Sequence, residues 1–255
     1  MIEIENLTKI FDGKKAVNNV TLHIEPGEIL GFLGPNGAGK TTTVKMLTGM
    51  LSPSSGTAKV AGFSVIEDAI EVKKRIGYVP ESGALFESLT AWEYLELVTE
   101  LHHLDRRFAQ RRITEFLSLF GIVKDKDRQL NTFSKGMKQK VLLSAAFLHN
   151  PQVFFLDEPL NGLDANAALI IKELLKKFAA QGKTIMFCSH ILEVVERICT
   201  RIAIIHEGKL IVQGDVDEIT HQAAQPTLEQ AFNKLTGCRD VMEYTEDFLQ
   251  TLERV

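Results

Sequence analysis

Apolar and polar residues alternate over Ile2–Glu5 and again over Val20–Ile24, the period-two spacing of half-buried strands. Pro26-Gly27 turns the chain into Glu28–Leu33, a more uniformly apolar run suited to a buried parallel strand. A glycine-rich stretch follows, and Val44 and Leu47 then share a helical face, predicting a helix from Lys40 to Gly49. From Thr90 to Gly121 the spacing is helical, with Leu95, Val98, Phe116, Leu119 and Phe120 marking apolar faces. The charged run Lys124–Arg128 comes next. Apolar runs return at Val153–Leu156, Thr184–Cys188 and Ile202–Ile205, separated by helical segments such as Ala165–Ala180. Strands alternating with helices predict an α/β fold on a mainly parallel sheet, with a helical lobe inserted over about residues 82–150. In the tail, Leu228, Ala231, Phe232 and Leu235 form one helical stripe, expected to pack against the domain. Val241, Tyr244, Phe248 and Leu252 suggest another.

The chain has 255 residues, 45% hydrophobic and 24% charged, enough for one well-buried domain with an ordinary globular balance. A net charge of −4 excludes the broad basic surface of a general nucleic-acid binder, so no nucleic-acid partner is expected. The short clusters Lys73-Lys74-Arg75, Arg106-Arg107 and Arg111-Arg112 are expected on solvated helix faces. Cys188, Cys199 and Cys238 are spaced too irregularly for a disulfide framework or a zinc site, which suits a reducing compartment. Met1–Glu5 is acidic where a secretory signal would carry lysines and an apolar core. No uncharged apolar run approaches the roughly 18 residues of a membrane span, so this chain is not expected to cross a membrane by itself.

The glycine-rich stretch is Gly34-Pro35-Asn36-Gly37-Ala38-Gly39-Lys40-Thr41, followed by Thr42. It has the P-loop spacing of glycine, four residues, then Gly-Lys-Thr, set between an apolar strand and a helix. Glycines let backbone N–H groups ring phosphate oxygens, and the helix behind them adds the positive end of its dipole. Lys40 then supplies a mobile charge for the β and γ phosphates, and the Thr41 hydroxyl is placed to ligate Mg²⁺. The apolar run Val153–Leu156 ends in Asp157-Glu158, at the strand edge where open α/β sheets bind ligands. Asp157 is assigned to the Mg²⁺, and Glu158 to orienting and polarising the attacking water.

Many ATPases and GTPases share a P-loop, so other residues must set the class. Phe133-Ser134-Lys135-Gly136-Met137 resembles the signature sequence of the ABC family in a variant form, matching at Ser134 and Gly136. Alone, Ser134 would read as a helix N-cap, which is compatible with that role. Leu160-Asn161-Gly162-Leu163-Asp164 resembles the family's D-loop, His190 falls where its switch histidine lies, and Phe11 where an aromatic stacks on adenine. The resemblance covers residues 1–215 in the expected order, leaving 216–255 as a C-terminal helical tail. It implies a P-loop NTPase core with an N-terminal antiparallel β subdomain, and ATP and Mg²⁺ as cofactors. Each ATP would lie between one chain's P-loop and the signature of a second ATP-binding subunit, a homodimer partner or a close homologue.

Two positions depart from the family pattern. Glu81, where a glutamine is usual, can still accept bonds from water or Mg²⁺-bound water but adds negative charge; Lys135 replaces a glycine and adds positive charge. With Lys40, Asp157, Glu158 and His190 present, activity is expected to survive. The apolar, loop-like segment Ser82–Thr90 falls where the family docks its transmembrane permease subunits, which would hold the chain at the cytoplasmic face of the membrane. The signature form, Pro80-Glu81 and Thr227–Phe232 look like ABC-2-type exporters. The alternative is a soluble ABC-type ATPase acting on a non-membrane target. Ribosome-acting members usually carry two ATP sites in one chain and DNA-repair members insert long coiled coils, and this sequence has neither.

Overall fold

The computed structural model describes residues 1–82 and 85–237. The chain begins β1 (Ile2–Phe11), β2 (Lys14–Ile24), β3 (Ile29–Leu33), α1 (Lys40–Leu47), β4 (Ser55–Val60), β5 (Phe63–Ser64), α2 (Ala69–Arg75) and β6 (Ile76–Val79). Three lobe helices follow, α3 (Ala91–Leu101), α4 (Arg106–Leu119) and α5 (Lys135–Leu148). Then come β7 (Val153–Asp157), α6 (Ala165–Ala180), β8 (Thr184–Cys188), α7 (Leu192–Ile198), β9 (Arg201–His206), β10 (Lys209–Gly214), α8 (Val216–Ala223) and α9 (Leu228–Thr236).

The main sheet has the order β10-β9-β3-β8-β7-β6, parallel except for the edge strand β10. Every residue of β3, β7 and β8 is buried, as strands covered on both faces require. Alternate side chains feed two cores. Ile29, Leu33, Phe154 and Leu156 join a cluster with the lobe and α6, where Phe147 meets Phe154 edge-on at 5.3 Å. Leu30, Phe32, Val153 and Phe155 face α1 and the antiparallel sheet β2-β1-β4-β5.

The structure corrects several expected boundaries. The helical stretch from Thr90 to Gly121 is two helices. Thr90 opens α3 with a reciprocal capping box to Glu93, His103 turns at φ 54, and Asp105 caps α4 by accepting the Phe108 N–H at 3.0 Å. β1 and β2 run much further than their alternating segments, because register shifts between Ile4 and Ile10 break the period-two signal. The basic clusters are not wholly solvated: the Arg75 guanidinium lies 4.0 Å from the Phe63 ring, and half-buried Arg112 sits over Phe108 and Phe116. The first tail stripe folds as α9 and buries Leu228 and Ala231 in the lobe-side core; the second stripe and Cys238 lie outside the described residues.

Where the lobe meets the sheet, His149 caps the end of α5. Its Nε2 is 2.8 Å from the Ile76 carbonyl oxygen, and its ring stacks on His102 at 3.7 Å. Burial pushes the His149 pKa down to about 4, helped by His102, Arg112 and Lys183 and opposed by the Ile76 carbonyl. A histidine depressed by folding contributes stability that is complete above its unfolded value of 6.5 and is lost as pH falls toward 4. Unfolding measured in urea should therefore show up to about 3 kcal/mol lost across that window, and His149→Phe should flatten this part of the profile. An unchanged pH slope in the variant would contradict the assignment.

Candidate functional site

Because β3, β8 and β7 are consecutive in the sheet, the residues that leave their carboxyl ends converge. The loop from Gly34 to Gly39 joins β3 to α1. A Cβ on Gly34 would stand 2.3 Å from the Ile205 carbonyl oxygen, and one on Gly39, at φ 109, 2.5 Å from that of Ala16. Only glycine lets the loop sit this close to β9 and β2. The turn after β9 braces it further, with the Gly208 N–H donated to the Ala38 carbonyl at 2.9 Å.

Lys40 folds back over this loop, its ammonium donating to the carbonyl oxygens of Gly34 at 2.6 Å and Pro35 at 3.1 Å. The Thr41 hydroxyl donates to Asp157 Oδ2 at 3.1 Å, which joins the first turn of α1 to the end of β7. Burial raises the Asp157 pKa, and Glu81 and Glu158 raise it further; the Thr41 bond and Lys40 oppose them. The Thr41 hydroxyl and the Asp157 carboxylate are oxygen donors of the kind a hard cation takes, although among the described residues no three acidic, histidine or cysteine side chains gather closely enough to form a metal cluster by themselves.

Glu158 leaves β7 at φ 50, a left-handed conformation that costs a residue with a side chain about 1 kcal/mol. Its N–H is held by the Cys188 carbonyl at 2.9 Å. Its carboxylate, largely buried, has a different partner on each oxygen: His190 Nδ1 at 2.9 Å from Oε1, and the Ser189 hydroxyl donating to Oε2 at 3.3 Å.

These groups border a cleft of about 300 Å³. Its lining holds Asn36, Gly37 and Gly39 of the loop, Lys40, Thr41 and Thr42 of α1, and the carboxylates Glu81, Asp157 and Glu158. Gly34, Pro35 and Ala38 shape the loop without lining the cleft, and His190 reaches it through Glu158. Phe11 lies outside the lining, 45% exposed near the β1–β2 turn, with the Lys9 ammonium 5.2 Å from its ring centre. Ser134 and Gly136 also lie outside it. Ser134 caps α5 by accepting the Met137 N–H at 3.2 Å, and it remains exposed. A Cβ on Gly136 would stand 2.3 Å from the Gly162 carbonyl, so α5 begins directly against the turn after β7.

Three residues at or beside the site were missed by sequence reasoning. Ala16 lines the cleft from β2, and a lone alanine carries no signal. Ser189 was readable only through its place beside His190. Buried Gln139 donates to the Pro159 carbonyl at 3.0 Å, one residue past Glu158, and only a three-dimensional contact reveals it.

The family model described as ABC transporter matches residues 17–161. The ABC transporter ATP-binding protein NatA of Bacillus subtilis is 37% identical over 91% of this chain and 96% of its own. The linearmycin resistance ATP-binding protein LnrL of the same organism is 34% identical over 90% of this chain and 74% of its own. Among solved structures, a dimeric post-hydrolysis state of the ATP-binding cassette MJ0796, bound to ADP and Pi, matches with a TM-score of 0.77. It is 26% identical and covers 84% of this chain and 98% of that one.

Asp157→Asn removes a charge disfavoured by burial and by two neighbouring carboxylates. A carboxyl raised on folding contributes stability while protonated and loses it as pH rises through its folded value. At pH 7 without nucleotide or magnesium, the thermal midpoint of Asp157→Asn should exceed that of the wild type. A lower midpoint would show that the Thr41 bond outweighs the repulsion.

Proposed function

From the premise that this chain belongs to the ABC transporter family of ATP-binding, ATP-hydrolysing domains, we propose that it hydrolyses ATP in a site completed by a second ATP-binding subunit and drives the permease subunits of an ABC-2-type exporter. The observation that carries this reading is the pairing of Glu158 with His190 at 2.9 Å beside the Lys40 loop.

Triphosphate oxygens would take the place of the Gly34 and Pro35 carbonyls as acceptors for the Lys40 ammonium, and the backbone N–H groups of Gly37 to Thr42 would ring them. Asp157 and Thr41 would hold a magnesium ion, with Glu81 accepting from water on it; the ion neutralises charge developing on the phosphates. Glu158 would take hydrogen bonding from the attacking water, and His190 would be free to turn toward the terminal phosphate. Phe11, exposed at the hairpin, would stack on adenine.

Ser134 and Gly136 would serve the neighbouring subunit. Ser134 and Lys135 are exposed at the capped N-terminus of α5, and anions are favoured at such an end. Closing two subunits on ATP would place that end against the terminal phosphate, and hydrolysis would remove the bridge. The MJ0796 cassette, solved as a dimer with ADP and Pi, supports this arrangement.

The route to the membrane partner runs through the lobe. Phe86 is 64% exposed in the proposed docking segment. Beside it, Glu87 pairs with Lys138 of α5 at 2.5 Å, and its carbonyl accepts the Asn131 N–H at 3.0 Å. A push on this segment therefore reaches the helix that begins at Ser134. Export is favoured by the form of the signature and the Thr227–Phe232 tail, and by the likeness to LnrL, named for linearmycin resistance. Among the described residues no helix is long and apolar enough to cross a membrane, which suits a peripheral subunit on the cytoplasmic face.

Glu158→Gln keeps the shape of the side chain and loses its basicity. It should bind ATP, lose about 100-fold or more in turnover, and migrate as a dimer with ATP and as a monomer without it. Wild-type turnover in this variant would remove Glu158 from its role.

A further inference from the structure

We propose that Ser189 is a positioning residue for hydrolysis: its hydroxyl fixes the Glu158 carboxylate in the orientation from which it polarises water. This rests on the role assigned to Glu158 above.

The two oxygens of that carboxylate are held in unlike ways. Oε1 meets His190, whose side chain is 69% exposed and lies where it can swing. Oε2 meets Ser189, which is 6% exposed and sits immediately after the last residue of β8. The Ser189 oxygen also accepts the Ile191 N–H at 3.1 Å. A hydroxyl that accepts from one side turns its proton away from that donor, and Glu158 Oε2 is the acceptor the proton meets.

Main chain and side chain of Glu158 are thus tied to the same strand end, the N–H to the Cys188 carbonyl and the carboxylate to Ser189. The left-handed turn at Glu158 makes this tether consequential. A residue leaving a strand at φ 50 swings its side chain out of the strand's alternation, so the carboxylate's direction is not set by β7 alone. When His190 turns toward phosphate, Ser189 stays. A base restrained to one orientation meets its water more often in a reactive geometry, which raises turnover without changing the affinity for nucleotide.

The competing reading is that Ser189 only ties down the turn into α7 through the Ile191 N–H. That role would show in stability and in nucleotide affinity together. ATP hydrolysis by the full chain with magnesium separates the two, measured with the binding of a non-hydrolysable ATP analogue and the thermal midpoint. In Ser189→Ala, kcat should fall about tenfold while KM stays within about twofold; Ser189→Thr, which keeps the hydroxyl, should return to within about threefold of wild type. Glu158→Gln is assayed beside them. If it is inactive while Ser189→Ala turns over normally, the role of Ser189 is overturned and that of Glu158 stands. A threonine variant as slow as alanine, or an alanine variant with weakened analogue binding and a lowered midpoint, likewise overturns it. Normal turnover by Glu158→Gln overturns the assignment of Glu158 and this inference with it.

Discussion

Negative charge buried at the end of β7 is the constraint around which the site is arranged. Asp157 is almost wholly enclosed, Glu158 nearly so, and Glu81 adds a third carboxylate from the end of β6. Burial first, and then repulsion from Glu81 and Glu158, makes Asp157 hold its proton more tightly. The nearby cation, Lys40, is turned onto loop carbonyls. The site therefore carries a surplus of negative charge, which the divalent cation proposed to accompany the triphosphate would offset. The sheet order brings the Lys40 loop, the carboxylates and His190 from four neighbouring strands, β3, β8, β7 and β6, to one edge.

The same sheet edge is wired to the helical lobe. α5 starts at Ser134 against Gly162, sends Gln139 to the Pro159 carbonyl and pairs Lys140 with Asp164 at 2.8 Å. On its other flank, Lys138 reaches Glu87. One helix thus touches the exit from β7, begins at Ser134 and reaches the segment proposed for docking. Packed elements of this kind shift as units rather than bend, so a change at the end of β7 has a mechanical path to the segment that carries Phe86.

Much of this was legible in the sequence, for physical reasons that differ from place to place. β3, β7 and β8 are buried on both faces, so their apolar runs stood out and their ends were placed to within a residue. The Lys40 loop was legible because its glycines answer local steric demands. β1 and β2 were underread because bulges scramble a period-two signal, and the break between α3 and α4 was hidden by apolar residues that keep helical spacing across His103. The order of motifs put His190 at the switch-histidine position, and the structure sets it beside Glu158. Their 2.9 Å contact, the φ of Glu158 and the bond from Ser189 depend on how two strands pair in space, and no local pattern encodes that.

If ATP is clamped between two copies, the defects of two inactive chains should complement. A Lys40→Ala chain lacks the phosphate cradle but keeps Ser134; a Ser134→Arg chain keeps the cradle but blocks its neighbour's. Each alone should be inactive, whereas an equal mixture should regain about a quarter of wild-type ATPase activity, since half the dimers would hold one intact composite site. A mixture as inactive as its parts, with dimers shown to form, would place the whole site within a single chain and contradict the shared clamp.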